Sequence, residues 1–245
     1  MEGFLISILG SVVGGAALLV ITALVSNRAR WILIAIMGRL LDVDIEAVFS
    51  SKNVCEPDLH KELARAREVA ILTGRGNELQ REAFYPIFLK RPAAKQLRIR
   101  ILLPRTDPGP EYDWTQQREE ELATFDHAFT QHGLLKDQIA ATVRFLDPYI
   151  VGGQVELRRF ACPHIGRVIL TDRCAFFTPY REDSHGRDCS VFKYRHGEIY
   201  DNFSRLFEQL WLGSAPVAQH TAPRVLAARL VSEPAILLGP AKDDQ

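Results

Sequence analysis

The sequence predicts an α/β protein: one N-terminal transmembrane helix followed by a cytosolic mixed-sheet domain with flanking helices. Three observations carry this prediction. Gly3 to Val25, GFLISILGSVVGGAALLVITALV, is an uncharged run long enough to cross a hydrocarbon core of about 30 Å as a helix. Two apolar stretches, VAILT from Val69 and LRIRILL from Leu97, flank a glycine turn and a helical run, the order of a parallel strand pair joined by a crossover. From Val155 onward short strands succeed one another and end in a single amphipathic helix, Tyr200 to Trp211.

The apolar run is preceded by Glu2 rather than a basic cluster and has no clear small-x-small cleavage site, which argues for an anchor over a secretory signal. Arg28, Arg30 and Arg39 follow it, so the positive-inside rule places the amino terminus outside and the rest of the chain in the cytoplasm. Gly10 and Gly14 form a G-x-x-x-G pair, and Ser7, Ser11 and Thr22 fall near the same face. Small residues let membrane helices approach closely, so this face reads either as ordinary membrane-helix composition or as a self-association seam that could line a narrow pore. Ser26 to Leu41 mixes Trp31 and aliphatic residues with three arginines and reads as an interfacial helix.

With 245 residues and 47% hydrophobic content, the chain has material for the anchor and one domain with a real core. Lys+Arg and Asp+Glu are each 30, so net charge selects no class of partner. Local clustering does: Leu157 to Arg195 is rich in arginine, whereas Asp107 to Asp147 is acidic. The four cysteines, Cys55, Cys162, Cys174 and Cys189, show no C-x-x-C spacing and read as reduced, buried thiols, with no metal site and no cofactor expected.

The domain organisation expected is a membrane and interfacial segment over 1–41, a linker over 42–58, the cytosolic domain over 59–214 and a mobile Ala/Pro-rich tail over 215–245. Asp42 to Ser51 has helical character, Lys52 to Pro57 interrupts it, and Asp58 caps a short helix, Leu59 to Arg67. After the first strand, Gly74-Arg75-Gly76-Asn77 leads into the helical run ELQREAFYPIFLKR. A glycine turn, an Asn cap and a helix can point backbone amides at an anion, though the same residues also make a plain tight turn. Thr115 to Leu135 and Asp137 to Leu146 are two helices read as solvated packing elements. Strands follow at Val155 to Phe160, Arg167 to Thr171, Ala175 to Thr178 and Ser190 to Tyr194.

The blocks VELRRF, IGRVILTD, AFFTPY, VFKY and IYDNFSRLFEQLW resemble the carboxy-terminal half of a phospholipase-D-like domain, and VAILTG and LRIRILLP resemble its opening strands. The resemblance spans Leu59 to Ser214. It implies that Arg167 and Asp172 stand at the Lys and Asp of the family's His-x-Lys-x-x-x-x-Asp motif, and that Ile165 stands at the nucleophilic His. His164 is one residue out of register, which in a strand turns a side chain to the opposite face. An aliphatic residue can neither form a phosphohistidine nor transfer a proton, so the expectation is a non-enzyme with no catalytic residue. Arg167 keeps a cation suited to bidentate phosphate binding; a structural ion pair between Arg167 and Asp172 is the alternative. The loop Tyr180 to Ser190 carries His185 and Arg187 and could close over an anion or stand solvated. The expected ligand or phosphate-binding set is therefore Arg167, Asp172, His185, Arg187, Lys193 and Arg75.

A single membrane helix before such a degenerate domain resembles the small transmembrane effectors of bacterial anti-phage systems. That resemblance implies an inner-membrane location, a homo-oligomer, a nucleotide or short nucleic-acid ligand made by a partner nucleotidyltransferase, and a ligand-gated pore. Two other readings stay open: a membrane-tethered phosphodiesterase or nuclease that uses His164 or His185, and a membrane scaffold for a cytosolic partner.

Overall fold

The computed structural model describes residues 44–89, 97–107, 113–163 and 166–216, together with Gly14, Gly15, Leu18, Ser26, Ile36 and Gly38. Gly14, Gly15 and Leu18 are helical and exposed; a Cβ added at Gly14 would meet nothing within 4 Å. Ser7, Gly10, Ser11 and Thr22, and the tail beyond Pro216, lie outside the described residues, as does most of the interfacial segment. No helix among the described residues is long and apolar enough to cross a membrane.

One mixed sheet runs through the domain. In chain order its elements are β1 (Ile45–Phe49), α1 (Lys52–Arg65), β2 (Glu68–Leu72), α2 (Tyr85–Phe88), β3 (Arg98–Pro104), α3 (Trp114–Ala123), α4 (Leu134–Val151), β4 (Val155–Phe160), β5 (Gly166–Thr171), β6 (Cys174–Pro179), β7 (Val191–Arg195), α5 (Glu198–Gly213) and β8 (Ala215–Pro216). The strand order is β1-β7-β6-β5-β2-β3-β4-β8. β2, β3 and β4 are parallel, with Ile71 opposite Ile101 and Ile101 opposite Leu157. β5 joins β2 in antiparallel register, and β6, β7 and β1 continue that antiparallel half.

Alternation along the strands divides the core in two. Val69 and Ile71 of β2 pack with Leu59 and Leu63 of α1, Phe84, and Leu135, Ile139 and Leu146 of α4. Ala70 and Leu72 face the other side, where Phe207 and Trp211 of α5 cover Leu102, Val168, Leu170 and Ala175. Central strands covered on both faces must be apolar throughout, which is why β5 is buried at every position.

Several local expectations give way to tertiary packing. The segment read as a helix and then a linker contains β1, an edge strand paired with β7 from Phe49↔Val191 to Ile45↔Tyr194. Its partner lies more than a hundred residues away in sequence, so no local pattern reveals the pairing. Helix α1 begins at Lys52 and carries Pro57 inside it. An interior proline costs about 3 kcal/mol, but Cys55, Leu59 and Leu63 anchor that helix in the core.

The run after Gly76 forms two 3₁₀ turns, Asn77–Gln80 and Glu82–Phe84, before the four-residue α2. Gly76 itself is left-handed, with φ 70°, and no side chain caps this turn, so the expected Asn-capped helix is absent. The acidic helix stops at Ala123, and Glu119 caps the next one: its carboxylate accepts from Gly133 N at 2.9 Å and from Leu135 N. That cap starts α4 at Leu134 rather than Asp137. At the entry to the domain, the Asp44 carboxylate accepts from Ile199 N at 3.0 Å at the start of α5.

Candidate functional site

The loops at the carboxyl ends of β2 and β3, the start of β5 and the turn after β6 meet around a cavity of about 250 Å³. Antiparallel pairing of β5 with β2 brings the first residues of β5 to the end where the glycine turn begins. Gly166 makes the approach possible: a Cβ there would lie 2.6 Å from both the Phe177 ring and the Thr178 carbonyl. The next residue, Arg167, is 7% exposed. Its Nη2 donates to Thr178 Oγ1 at 3.1 Å, its Nη1 lies 3.5 Å from Glu78 Oε1, and its Nε is buried with no hydrogen-bond partner.

Glu78 is buried and accepts from the Thr73 hydroxyl at 2.6 Å. Burial pushes its carboxyl up, but the Arg167 charge, the Thr73 hydrogen bond and Lys52 outweigh burial and hold it below the ordinary carboxylate range. Lys52, the first residue of α1, is 4% exposed, and its backbone N–H donates to the Arg187 carbonyl at 3.2 Å. Burial, with Arg167 and Arg81 nearby, pushes its ammonium down to about 8 against the opposing pull of Glu78.

The other walls are cationic and aromatic. Arg75 donates to the neutral Gln138 amide at 3.0 Å and lies 5.9 Å from the centre of the Phe129 ring. Arg118 is buried between Glu121, at 2.7 Å, and the carbonyls of Arg181 and Ser184, at 3.0 and 3.4 Å, and it stacks over Tyr180. Those contacts pin the β6–β7 loop over the cavity, and the Tyr180 hydroxyl accepts from Gly74 N at 3.1 Å. His185 Nε2 is 3.2 Å from Asp126 Oδ2. Burial and then Arg187 pull its imidazole below the ordinary value, against Asp126, so the neutral ring prevails at pH 7. Arg81 and Arg187 are exposed at the mouth. Six cations, Lys52, Arg75, Arg81, Arg118, Arg167 and Arg187, thus face two carboxylates, Glu78 and Asp126. Outside the lining, Glu121 pairs with Arg118, Asp188 with Arg187, and Glu56 with both Lys52 and Arg81. The smaller positive excess that remains, partly shielded from water, attracts an anion with several acceptor oxygens.

Of the residues expected from sequence, Arg167, Arg75, His185 and Arg187 line this one cavity, and Asp172 and Lys193 do not. Asp172 lies in the β5–β6 turn, about 16 Å along the strand from Arg167 at the usual rise per residue. Its carboxylate accepts from Arg67 N at 2.9 Å and its carbonyl from His196. It is a turn anchor and makes no ion pair with Arg167, whose carboxylate partner is Glu78.

Lys193 is 3% exposed and held by Glu46, Asp58 and Glu62 at 3.0, 2.9 and 3.1 Å. Burial alone would lower its ammonium, but those carboxylates hold it above the ordinary lysine range. It belongs to an internal charge cluster between β1, β7 and α1, with no side chain left to offer a ligand. His164 and Ile165, at and beside the nucleophile position of the resemblance, lie outside the described residues.

Sequence reading missed Lys52, Glu78, Arg118, Asp126 and Tyr180. The first sits in a stretch read as a linker, and Arg118 and Asp126 sit in a helical region read as solvated. Among the described residues, no group of three or more His, Cys, Asp or Glu is placed to hold a metal ion. The cysteines are free thiols, and burial pushes Cys55 up to about 12 and Cys174 up to about 11.

No family model and no curated protein matches this chain. Among solved structures it is similar to TrmBL2, an archaeal chromatin protein described as showing a novel mode of DNA binding, with 12% identity and a TM-score of 0.43 over 69% of this chain. The chain spans 52% of that protein's length. It is also similar to Nuc, a phospholipase D family member from Salmonella typhimurium, with 11% identity and a TM-score of 0.41 over 69% of this chain and 97% of Nuc. Phosphatidylserine synthase from Haemophilus influenzae is 12% identical, with a TM-score of 0.44 over 71% of this chain and 40% of the synthase. The chemistry of the cleft follows from this chain's own residues.

Proposed function

We propose that this chain is a membrane-anchored effector whose cytosolic domain senses a nucleotide or oligonucleotide through the cationic cleft and gates an oligomeric pore of the bacterial inner membrane in anti-phage defence. The observation that carries the ligand half is Arg167, buried at the cavity with one guanidinium N–H unpartnered beside an excess of cations. An oxyanion in the cavity would balance that positive charge. The membrane half rests on the length and composition of Gly3 to Val25 and on its G-x-x-x-G face.

Equilibrium binding of nucleotides and short oligonucleotides to the full chain in lipid nanodiscs tests the ligand half. Micromolar or tighter binding that weakens with salt is the expected result, and equal retention by a variant with both Arg167→Met and Arg75→Gln would remove the cleft from the account. For the pore, dye uptake by cells expressing the chain, suppressed by Gly14→Leu, is the expected outcome; an intact membrane in every ligand state would favour a scaffold.

A second reading, a tethered phosphodiesterase, is favoured by the 3.2 Å contact of His185 with Asp126 in the same cleft, the arrangement of an imidazole oriented by a carboxylate. Turnover of a diester substrate abolished by His185→Ala would put this reading first.

A further inference from the structure

The geometry points to a terminal phosphate monoester, the phosphorylated end of a nucleotide or short oligonucleotide, as the group the cleft takes. This narrows the ligand class proposed above and rests on that reading. Charge is the first reason. Glu78 offsets Arg167, and Glu121 offsets Arg118. Lys52 has only Glu56, at 3.7 Å, within salt-bridge range, and Arg75 bonds a neutral amide. Glu56 is shared with Arg81, at 3.9 Å, so Lys52, Arg81 and Arg75 have one carboxylate among them. That excess beside Arg167 suits a group carrying about −1.5 to −2 with three acceptor oxygens, which is a monoester at pH 7. An internal diester brings one negative charge and two free oxygens.

Room is the second reason. The cavity holds about 250 Å³, below the range of about 300–1,000 Å³ usual for drug-sized ligands. A diester within a strand continues on both sides and needs a groove with two exits, whereas a monoester ends the chain and fits a pocket of this size. Trp114 and Phe129 on the walls offer apolar surface to the adjoining sugar or base.

The test compares one thymidine dinucleotide with and without a 5′-phosphate, and inorganic phosphate, by calorimetry on the full chain in nanodiscs at pH 7. The phosphorylated dinucleotide is expected to bind at least tenfold tighter than the unphosphorylated one, and inorganic phosphate to compete with it. Lys52→Met should shrink that ratio toward one; its melting temperature, measured alongside, separates loss of the site from loss of the fold. Equal tight binding of the two dinucleotides would overturn this inference and leave the nucleotide reading intact. If none of the three probes bound, both would fall. The main comparison uses the parent chain, so it stands whether or not any variant folds.

Discussion

Replacing Arg167 with methionine leaves the Glu78 carboxylate in place with its ion partner removed, and the consequence can be worked through. Arg167 and Glu78 are 7% and 5% exposed, and the closest charged atoms are 3.5 Å apart. At an effective dielectric of about 20, that separation corresponds to about 5 kcal/mol of attraction. Breaking a buried pair by removing one partner costs about 3–5 kcal/mol, because the remaining charge stays desolvated. Methionine replaces much of the arginine stem, so lost packing is a small part of the cost, and the Thr73 hydroxyl still satisfies one carboxylate oxygen.

The expected loss is therefore about 3–4 kcal/mol in urea unfolding of the full chain in detergent. The double variant Arg167→Met/Glu78→Gln should recover most of it, since neither charge is then stranded. The pH dependence provides an internal control. In the parent, Glu78 titrates below its ordinary 4.5, so its stabilising share is present above that value and fades as pH falls through the folded value. In the single variant burial drives the same carboxyl above 4.5, and the folded state takes up a proton first, so the variant gains stability on acidification. The gap between parent and single variant should accordingly close between pH 7 and 4. A cost under about 1 kcal/mol, or a gap that does not change with pH, would show that this pair does not organise the cleft.

Four further outcomes are expected. Affinity for a phosphate ligand should fall as pH rises past 8, because Lys52, at about 8 in the fold and faced by Glu78, Glu56, Arg167 and Arg81, loses its proton there; binding measured at pH 7 and 9 checks this, and Lys52→Met should flatten the profile. The same depressed value makes stability rise with pH between about 8 and the unfolded 10.5, since only the unfolded chain holds the proton in that window. Gly166→Ala should cost about 1–3 kcal/mol in chemical unfolding, as its Cβ would sit 2.6 Å from a backbone oxygen that cannot swing away. Lys193→Met removes the cation shared by Glu46, Asp58 and Glu62, leaving Arg173 on Glu62 alone, and should cost about 3–5 kcal/mol while leaving nucleotide affinity unchanged in calorimetry below the melting point; a selective loss of binding would return Lys193 to the site.

What could be read in advance followed from the range of each interaction. The four strands from Val155 to Tyr194 and the closing helix lie in the structure within a residue or two of their expected places, because each is a local apolar pattern bounded by turns. Edge strand β1 and proline-bearing α1 were misread, because both are held by partners remote in sequence. Arg167, Arg75 and Arg187 stood out as cations, and His185 as an imidazole, in loop or strand-end positions. Arg118 and Asp126 did not, because an acidic helical stretch conceals which of its faces is buried. The resemblance put Arg167 and Asp172 in one motif, and a six-residue strand holds them apart.

By itself the sequence determined the mixed α/β character of the domain, the apolar run at the amino terminus and the concentration of cations in the carboxy-terminal half, all properties of neighbouring residues. Tertiary structure alone decided which charges meet. Pairing β5 against β2 brings Arg167 to Glu78 and the glycine turn, the start of α1 places Lys52 beside Arg187, and the Lys193 ammonium is consumed by three carboxylates. The physical reason is that a charge acts within a few ångströms, and the chain brings these residues to that distance by folding together segments that lie tens to more than a hundred positions apart.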